Sequence, residues 1–124
     1  NQVVKLMLKK GLQVLNSSIL ILGFTFKENC PDVRNTKVID IYRALKEYNL
    51  NITVYDPWAN VEIVNREYNL NIESQLSTQN FDTVIFAVAH DCFKKINVKE
   101  IVKSKHVIFD VKGFCDKGLI DGRL

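Results

Sequence analysis

Apolar positions along the chain change their period several times, and each change marks an element. Val3, Val4, Met7 and Leu8 fall in helical phase, so residues 2–9 read as the end of a helix, with Gly11 as its stop. Asn16-Ser17-Ser18 then opens the domain proper. Ile19 to Leu22 is a continuous apolar run, the pattern of a strand buried on both faces. A long polar-rich loop, GFTFKENCPDVRNT (Gly23 to Thr36), follows. Val38, Ile41, Tyr42 and Leu45 recur at helical spacing and predict a helix from about Thr36 to Tyr48, capped by Asn35 or Thr36. Asn51 to Tyr55 reads as a second strand closed by Asp56-Pro57. Val61, Val64 and Tyr68 give a helix capped by Asn60. Asn71-Ile72-Glu73 reads as a short edge strand, and Thr83 to Ala89 as another buried one. His90-Asp91-Cys92-Phe93 forms a loop, Val98 to Val102 a short helix, and Val107 to Val111 the last clear strand. The tail from Lys112 to Leu124 is Gly-rich and carries no assignable period. No internal repeat or low-complexity segment interrupts the pattern.

Strands alternating with helices imply an α/β fold, a mainly parallel sheet wrapped on both faces. The expectation is a Rossmann-like three-layer domain with strand order 3-2-1-4-5. The topological switch point then lies between the strand ending at Leu22 and the one ending at Ala89. Ligands of open α/β sheets bind there, outside the carboxyl ends of the strands. The Gly23 loop and the His90 loop therefore flank one crevice, with Lys112 beside them.

Length and composition narrow the class. At 124 residues the chain fits one domain, and 47% hydrophobic with 25% charged residues is ordinary for a globular protein. The net charge of +3 comes from scattered basic residues with no block beyond a Lys-Lys pair, so no nucleic-acid partner is expected. No apolar run reaches the ~18 residues of a membrane span. Cys30, Cys92 and Cys115 lack metal-ligand spacing and read as reduced thiols of a cytoplasmic protein. The chain begins at Asn1 with a helix already in phase, which suggests a piece of a longer protein, and Lys5, Lys9 and Lys10 argue against a signal peptide.

The long loop limits the chemistry. A dinucleotide fingerprint needs GxGxxG, so that backbone can approach a pyrophosphate. Here only Gly23 is present, and Phe24 and Phe26 stand where small residues are needed. A Walker loop fails for want of GK[ST]. A phosphoacceptor domain would want acidic residues after the first strand; Lys112 suits it, but Gly23-Phe24-Thr25 does not. The loop does offer Lys27 and Arg34 as charge-assisted phosphate donors, the amides of residues 35–37 at a helix start, and phenylalanine rings for a base or sugar. Asp32 can hold Arg34 in place. That set fits a nucleotide diphosphate held by side chains. Solvated loop charges and core phenylalanines fit the same letters, and spacing leaves both readings open.

The loop resembles the opening of the C-terminal, UDP-binding domain of the UDP-glucose/GDP-mannose dehydrogenase family, whose pattern is close to G-x-[TA]-F-K-x-x-x-x-D-x-R-x-[ST]. Gly23, Thr25, Phe26, Lys27, Asp32, Arg34 and Thr36 occupy the matching places. Tyr55-Asp56-Pro57, Ala89-His90 to Phe93, and Asp110-Val111-Lys112-Gly113 follow in family order, so the resemblance covers nearly the whole chain. The wording is most similar to the bacterial branch that oxidises UDP-N-acetylhexosamines.

The resemblance implies a parent enzyme of three parts. An N-terminal domain binds NAD, a central helical region carries a catalytic cysteine, and the C-terminal domain binds the UDP part of the substrate. Residues 1–16 would be the end of the connecting helix and 17–124 the UDP-sugar-binding domain. The implied reaction oxidises the sugar C6 alcohol to a carboxylate in two hydride transfers to NAD, through a thiohemiacetal and a thioester on the cysteine. Such enzymes serve surface polysaccharide synthesis and assemble as homo-oligomers.

Carried onto this chain, Phe26 and Lys27 match positions that touch the UDP-sugar, and Arg34 matches an arginine that reaches toward NAD. Lys112 falls at or beside a basic substrate contact. His90 and Phe93 are expected to line the crevice, with a purely structural loop cap as the alternative for His90. Asp56, followed by Pro57, is expected to form a turn. Cys92 lies two residues from His90, but the family's nucleophile belongs to the central region and none of the three cysteines matches its motif. The chain alone is thus expected to be inactive. A non-catalytic nucleotide-binding module on the same fold is the competing reading.

Overall fold

The computed structural model describes residues 1–76 and 79–123. β1 (Ser18–Leu22) is an inner strand of the sheet, and its side chains from Ile19 to Leu22 are buried on both faces. β1 runs parallel to β2 (Asn51–Tyr55) on one side, Leu22 opposite Tyr55, and to β3 (Phe81–Phe86) on the other, Leu22 opposite Phe86. β4 (Val102–Asp110) and β5 (Gly122–Arg123) extend the sheet beyond β3, giving the order β2-β1-β3-β4-β5 with every pair parallel.

The expected order is present with one reduction and one addition. Asn71–Glu73 contributes a single parallel bridge, Glu73 to Tyr55, outside β2. At the far edge β5 lies in the tail that carried no readable period. Two residues cannot show alternation, and Asp121 does the anchoring: its carboxylate accepts from the Ile108 amide at 2.7 Å while its own amide donates to the Ile108 carbonyl at 2.7 Å. Gly122 leaves little room there: a Cβ would sit 2.7 Å from the tip of the Leu6 side chain and 3.2 Å from the Phe109 ring.

α1 (Gln2–Lys9), α2 (Val38–Lys46) and α3 (Val61–Tyr68) all pack on one face, burying Met7, Leu45 and Val64 against Ile19, Ile21 and Ile85. Asn60 caps α3 as expected, its Oδ1 accepting from Ile63 N at 3.0 Å. α2 begins two residues later than expected, because Asn35 takes a left-handed φ of 60° and Thr36 turns its hydroxyl to the Val38 amide. Asn69 closes α3 in the left-handed region, and Asn49 takes the same conformation just beyond α2, the role often given to glycine.

The other face carries Leu20, Leu22, Phe81, Val84 and Phe86. No α-helix covers it among the described residues. The cover is two 3₁₀ turns (Asp91–Lys95, Val98–Glu100) that bury Phe93 and Val98, together with Phe114 and Ile120 from the tail. The expected helix at 98–102 shrinks to the single turn Val98–Glu100, because the chain is already extended in β4 at Val102. β4 starts five residues early, since Lys103 to His106 form an exposed polar bulge where the pairing shifts from Phe81–Val102 to Thr83–Val107. β3 ends at Phe86; Ala87 and Val88 both donate to the Leu22 carbonyl, at 2.9 and 3.3 Å.

Candidate functional site

The loop after β1 starts with a close approach. Gly23 has φ +102°, its amide donates to Tyr55 O at 2.9 Å, and a Cβ would lie 2.5 Å from Val88 Cβ. The glycine thus lets the loop pass the β3 end, and Val88 fills the space beside it. Phe24 is buried, edge-on to Tyr68 with ring centroids 5.2 Å apart. Burying such a ring stabilises the fold by roughly 1.5–3 kcal/mol. Its carbonyl accepts from the Thr36 hydroxyl at 2.6 Å, joining the loop's two ends. Between them, Phe26 N donates to Asp32 O at 2.7 Å and the Tyr68 hydroxyl to Val33 O at 2.5 Å.

Below the loop lies a buried polar cluster. Asp56 Oδ2 accepts from Phe24 N at 2.6 Å and Thr25 N at 3.0 Å, and lies 3.0 Å from His90 Nε2. Its Oδ1 accepts from Trp58 N at 2.8 Å, which makes the expected turn. Burial pushes the Asp56 carboxyl up, but hydrogen bonds from His90 and from the Phe24 and Trp58 amides outweigh it and hold the group below its ordinary value. His90 also receives Asn29 N on Nδ1 at 2.8 Å and sits 3.2 Å from the Thr25 hydroxyl. The Trp58 ring stacks on it at 6.0 Å and the Phe93 ring meets it edge-on at 5.2 Å.

Of the residues singled out in the sequence, Phe26 (49% exposed) and Lys27 stand on the surface at the loop tip. Arg34 is also outside, its side chain 86% exposed and gripping Asp32 through two bonds of 3.1 Å. Arg34 holds the Asp32 carboxyl below its ordinary value, and Asp32 raises the guanidinium in return. Lys112 is exposed in a turn built on the buried Asp110, which accepts from the amides of Lys112, Gly113 and Cys115. A cleft of about 510 Å³ opens between the loop and α3, lined by Asp32, Arg34, Ile63 and Tyr68 among others.

Two expectations need correcting. His90 (0% exposed) and Phe93 (2%) lie beneath the crevice, because the Trp58 and Phe93 rings pack against the imidazole and both of its nitrogens are already engaged. Phe24 is likewise core, so the flat apolar surface belongs to Phe26 and to Trp58, which is 41% exposed. Sequence reasoning passed over Trp58; an aromatic placed directly after a strand-closing Asp-Pro was the available signal. Cys92 makes no dyad with His90. Its thiol is pushed up by burial and by Asp56, and Cys115 is pushed up to about 12 by burial and Asp110. Among the described residues no group of His, Cys, Asp and Glu has metal-binding geometry.

An open parallel sheet with exposed cations and an aromatic at its carboxyl edge, and with a side-chain-supported loop in place of a glycine fingerprint, defines a Rossmann-like α/β domain. The chain belongs to the UDP-glucose/GDP-mannose dehydrogenase family: residues 20–117 match its UDP binding domain. It is 46% identical over 114 residues to a UDP-N-acetyl-D-glucosamine 6-dehydrogenase of Salmonella typhi, covering 90% of this chain and 27% of the relative. The enzyme of the same name from Pseudomonas aeruginosa is 43% identical over 127 aligned positions, covering 100% of this chain and 30% of the relative. The chain therefore spans under a third of the length of these relatives. Among solved structures, an NDP-N-acetyl-D-galactosaminuronic acid dehydrogenase from Methanosarcina mazei superposes with a TM-score of 0.78 at 20% identity, over 91% of this chain and 24% of that one. The fold is shared with it.

Proposed function

We propose that residues 17–124 are the UDP-sugar-binding domain of an NAD-dependent nucleotide-sugar 6-dehydrogenase, and that residues 1–16 end the helix connecting it to a central part. The parent enzyme oxidises the sugar C6 alcohol of a UDP-N-acetylhexosamine to a carboxylate, in the cytoplasm, as a homo-oligomer serving surface polysaccharide synthesis. The observation that carries this reading is the pair Phe26–Lys27. Both side chains are exposed at the tip of a loop whose backbone is held from below at the carboxyl edge of β1.

Lys27 meets the diphosphate as a point charge, and Phe26 lies against the sugar or base. Lys112, at the carboxyl end of β4, adds a second cation. His90 and Phe93 serve the substrate from underneath, by supporting the loop. The residues present do not fit NAD: Gly23 is filled against Val88 and no second glycine opens the backbone. NAD, the hydride acceptor, is held by other parts of the parent, and Arg34 on the outer side of the loop is the group of this chain that reaches toward it.

The test is titration of the chain with UDP. Lys27→Ala is expected to weaken binding by the loss of one charge-assisted contact, roughly 1.5–3 kcal/mol. Unchanged affinity in that variant overturns the assignment.

A further inference from the structure

We infer that Asp56 and His90 are positioning residues for Lys27, acting through an imidazole locked in one tautomer that fixes the backbone on both sides of the loop tip. The inference rests on the reading of Lys27 as a diphosphate ligand.

The tautomer follows from donor and acceptor chemistry. The Asn29 amide can only donate, and it lies 2.8 Å from His90 Nδ1, so Nδ1 carries no proton. The proton of the neutral ring is therefore on Nε2, directed at Asp56 Oδ2, 3.0 Å away. The Thr25 hydroxyl sits 3.2 Å from the same nitrogen and donates its own proton to the Lys27 carbonyl at 3.0 Å. Lys27 is thereby held at three points. Asp56 fixes the Thr25 amide two residues before it, His90 fixes the Asn29 amide two residues after it, and Thr25 fixes its carbonyl. Asn29 and Asp91 add a reciprocal pair, side chain to side chain at 3.0 Å and Asp91 N to Asn29 Oδ1 at 3.0 Å.

The imidazole is wedged between the Trp58 and Phe93 rings, and a ring flip would put carbon where Asn29 and Asp56 need nitrogen. Neither Asp56 nor His90 has surface with which to touch a ligand. Their contribution is to order the tip before binding, so that the ligand does not bear that cost on association.

Two substitutions separate the halves of the relay. His90→Asn keeps an acceptor near the Nδ1 position and loses the donor to Asp56; His90→Gln keeps a donor near Nε2 and frees Asn29. UDP affinity, followed through Trp58, the only tryptophan of the chain, is expected to fall roughly tenfold in His90→Gln, about one hydrogen bond to a positioned group, and less in His90→Asn. In a Lys27→Ala background His90→Gln is expected to add little, because its effect passes through Lys27. Nitrogen-15 spectra of the unsubstituted chain, which need no variant to fold, should show Nδ1 unprotonated and Nε2 protonated. A proton on Nδ1, or equal losses in both backgrounds, overturns the positioning role alone. No UDP binding by the unsubstituted chain, or full affinity in Lys27→Ala, overturns the reading of Lys27 and takes this role with it.

Discussion

Thr36 ties the far end of the long loop to its start: the hydroxyl donates to the Phe24 carbonyl at 2.6 Å and accepts from the Val38 amide at 3.2 Å. One side chain thus closes the loop and accepts from the first amide of α2, at a position buried from solvent. Thr36→Val keeps the shape and removes both bonds, leaving a buried carbonyl and a helix amide without this partner. The expected cost is about 1–2 kcal/mol of stability, read as a lower urea midpoint at unchanged slope. An unshifted midpoint would show that water replaces the hydroxyl at no cost.

Gly23→Ala should be among the most damaging small substitutions in the chain. The new methyl meets Val88 Cβ at 2.5 Å and Val88 N at 2.9 Å, on a backbone at φ +102°. Because the amide nitrogen is part of the clash, Val88→Ala should not rescue it. A loss of about 2 kcal/mol or more is expected from strain and overlap together. Thermal unfolding of the single and double variants gives the answer, and rescue by Val88→Ala, which keeps Cβ and the amide, would place the conflict in the Val88 γ-methyls alone.

The Asp56 carboxyl gives the fold an acid limit. Its folded value lies below the ordinary 3.8, so the stability it contributes is fully present above that value. That stability is lost as pH falls from 3.8 through the folded value, since protonation takes from Oδ2 its place as acceptor for Phe24, Thr25 and His90. Melting temperatures followed from about pH 5 down through 3.8 and below should fall steeply at the acid end for the unsubstituted chain. The Asp56→Asn variant should start lower and depend less on pH in that range. Parallel curves for the two proteins would remove Asp56 as the source.

β1 was readable because both of its faces are apolar, which writes the core into consecutive letters from Ile19 to Leu22. β5 was not readable because a side chain, Asp121, does the work that a longer strand would do by pairing. The same physics divided the site. Phe26, Lys27 and Arg34 stand in a recognisable spacing and all three are on the surface. His90 and Phe93 were placed correctly at the carboxyl edge, but position along the chain does not tell which way a side chain points. His90 turned inward because Asp56 and the Asn29 amide bind its two nitrogens. A common device lay in view without being read: an aspartate ends β4 at Asp110 and follows β2 at Asp56, and each buried carboxylate gathers the amides of a neighbouring loop.

The bridge at Glu73 and the two-residue β5 have a consequence for encounters between copies of the domain. A parallel sheet with bare outer strands is a template on which foreign strands can grow. Here the carboxyl end of β2 is occupied by Glu73, whose amide donates to Val54 O at 2.7 Å. The carboxyl half of β4 is occupied by β5 and Asp121, and its amino half carries Lys103, Lys105 and the bulge opposite Phe81 to Thr83. Charge and irregular backbone at such a margin oppose recruitment of another strand, so these short segments act as guards against fibre-like stacking while adding little area to the sheet.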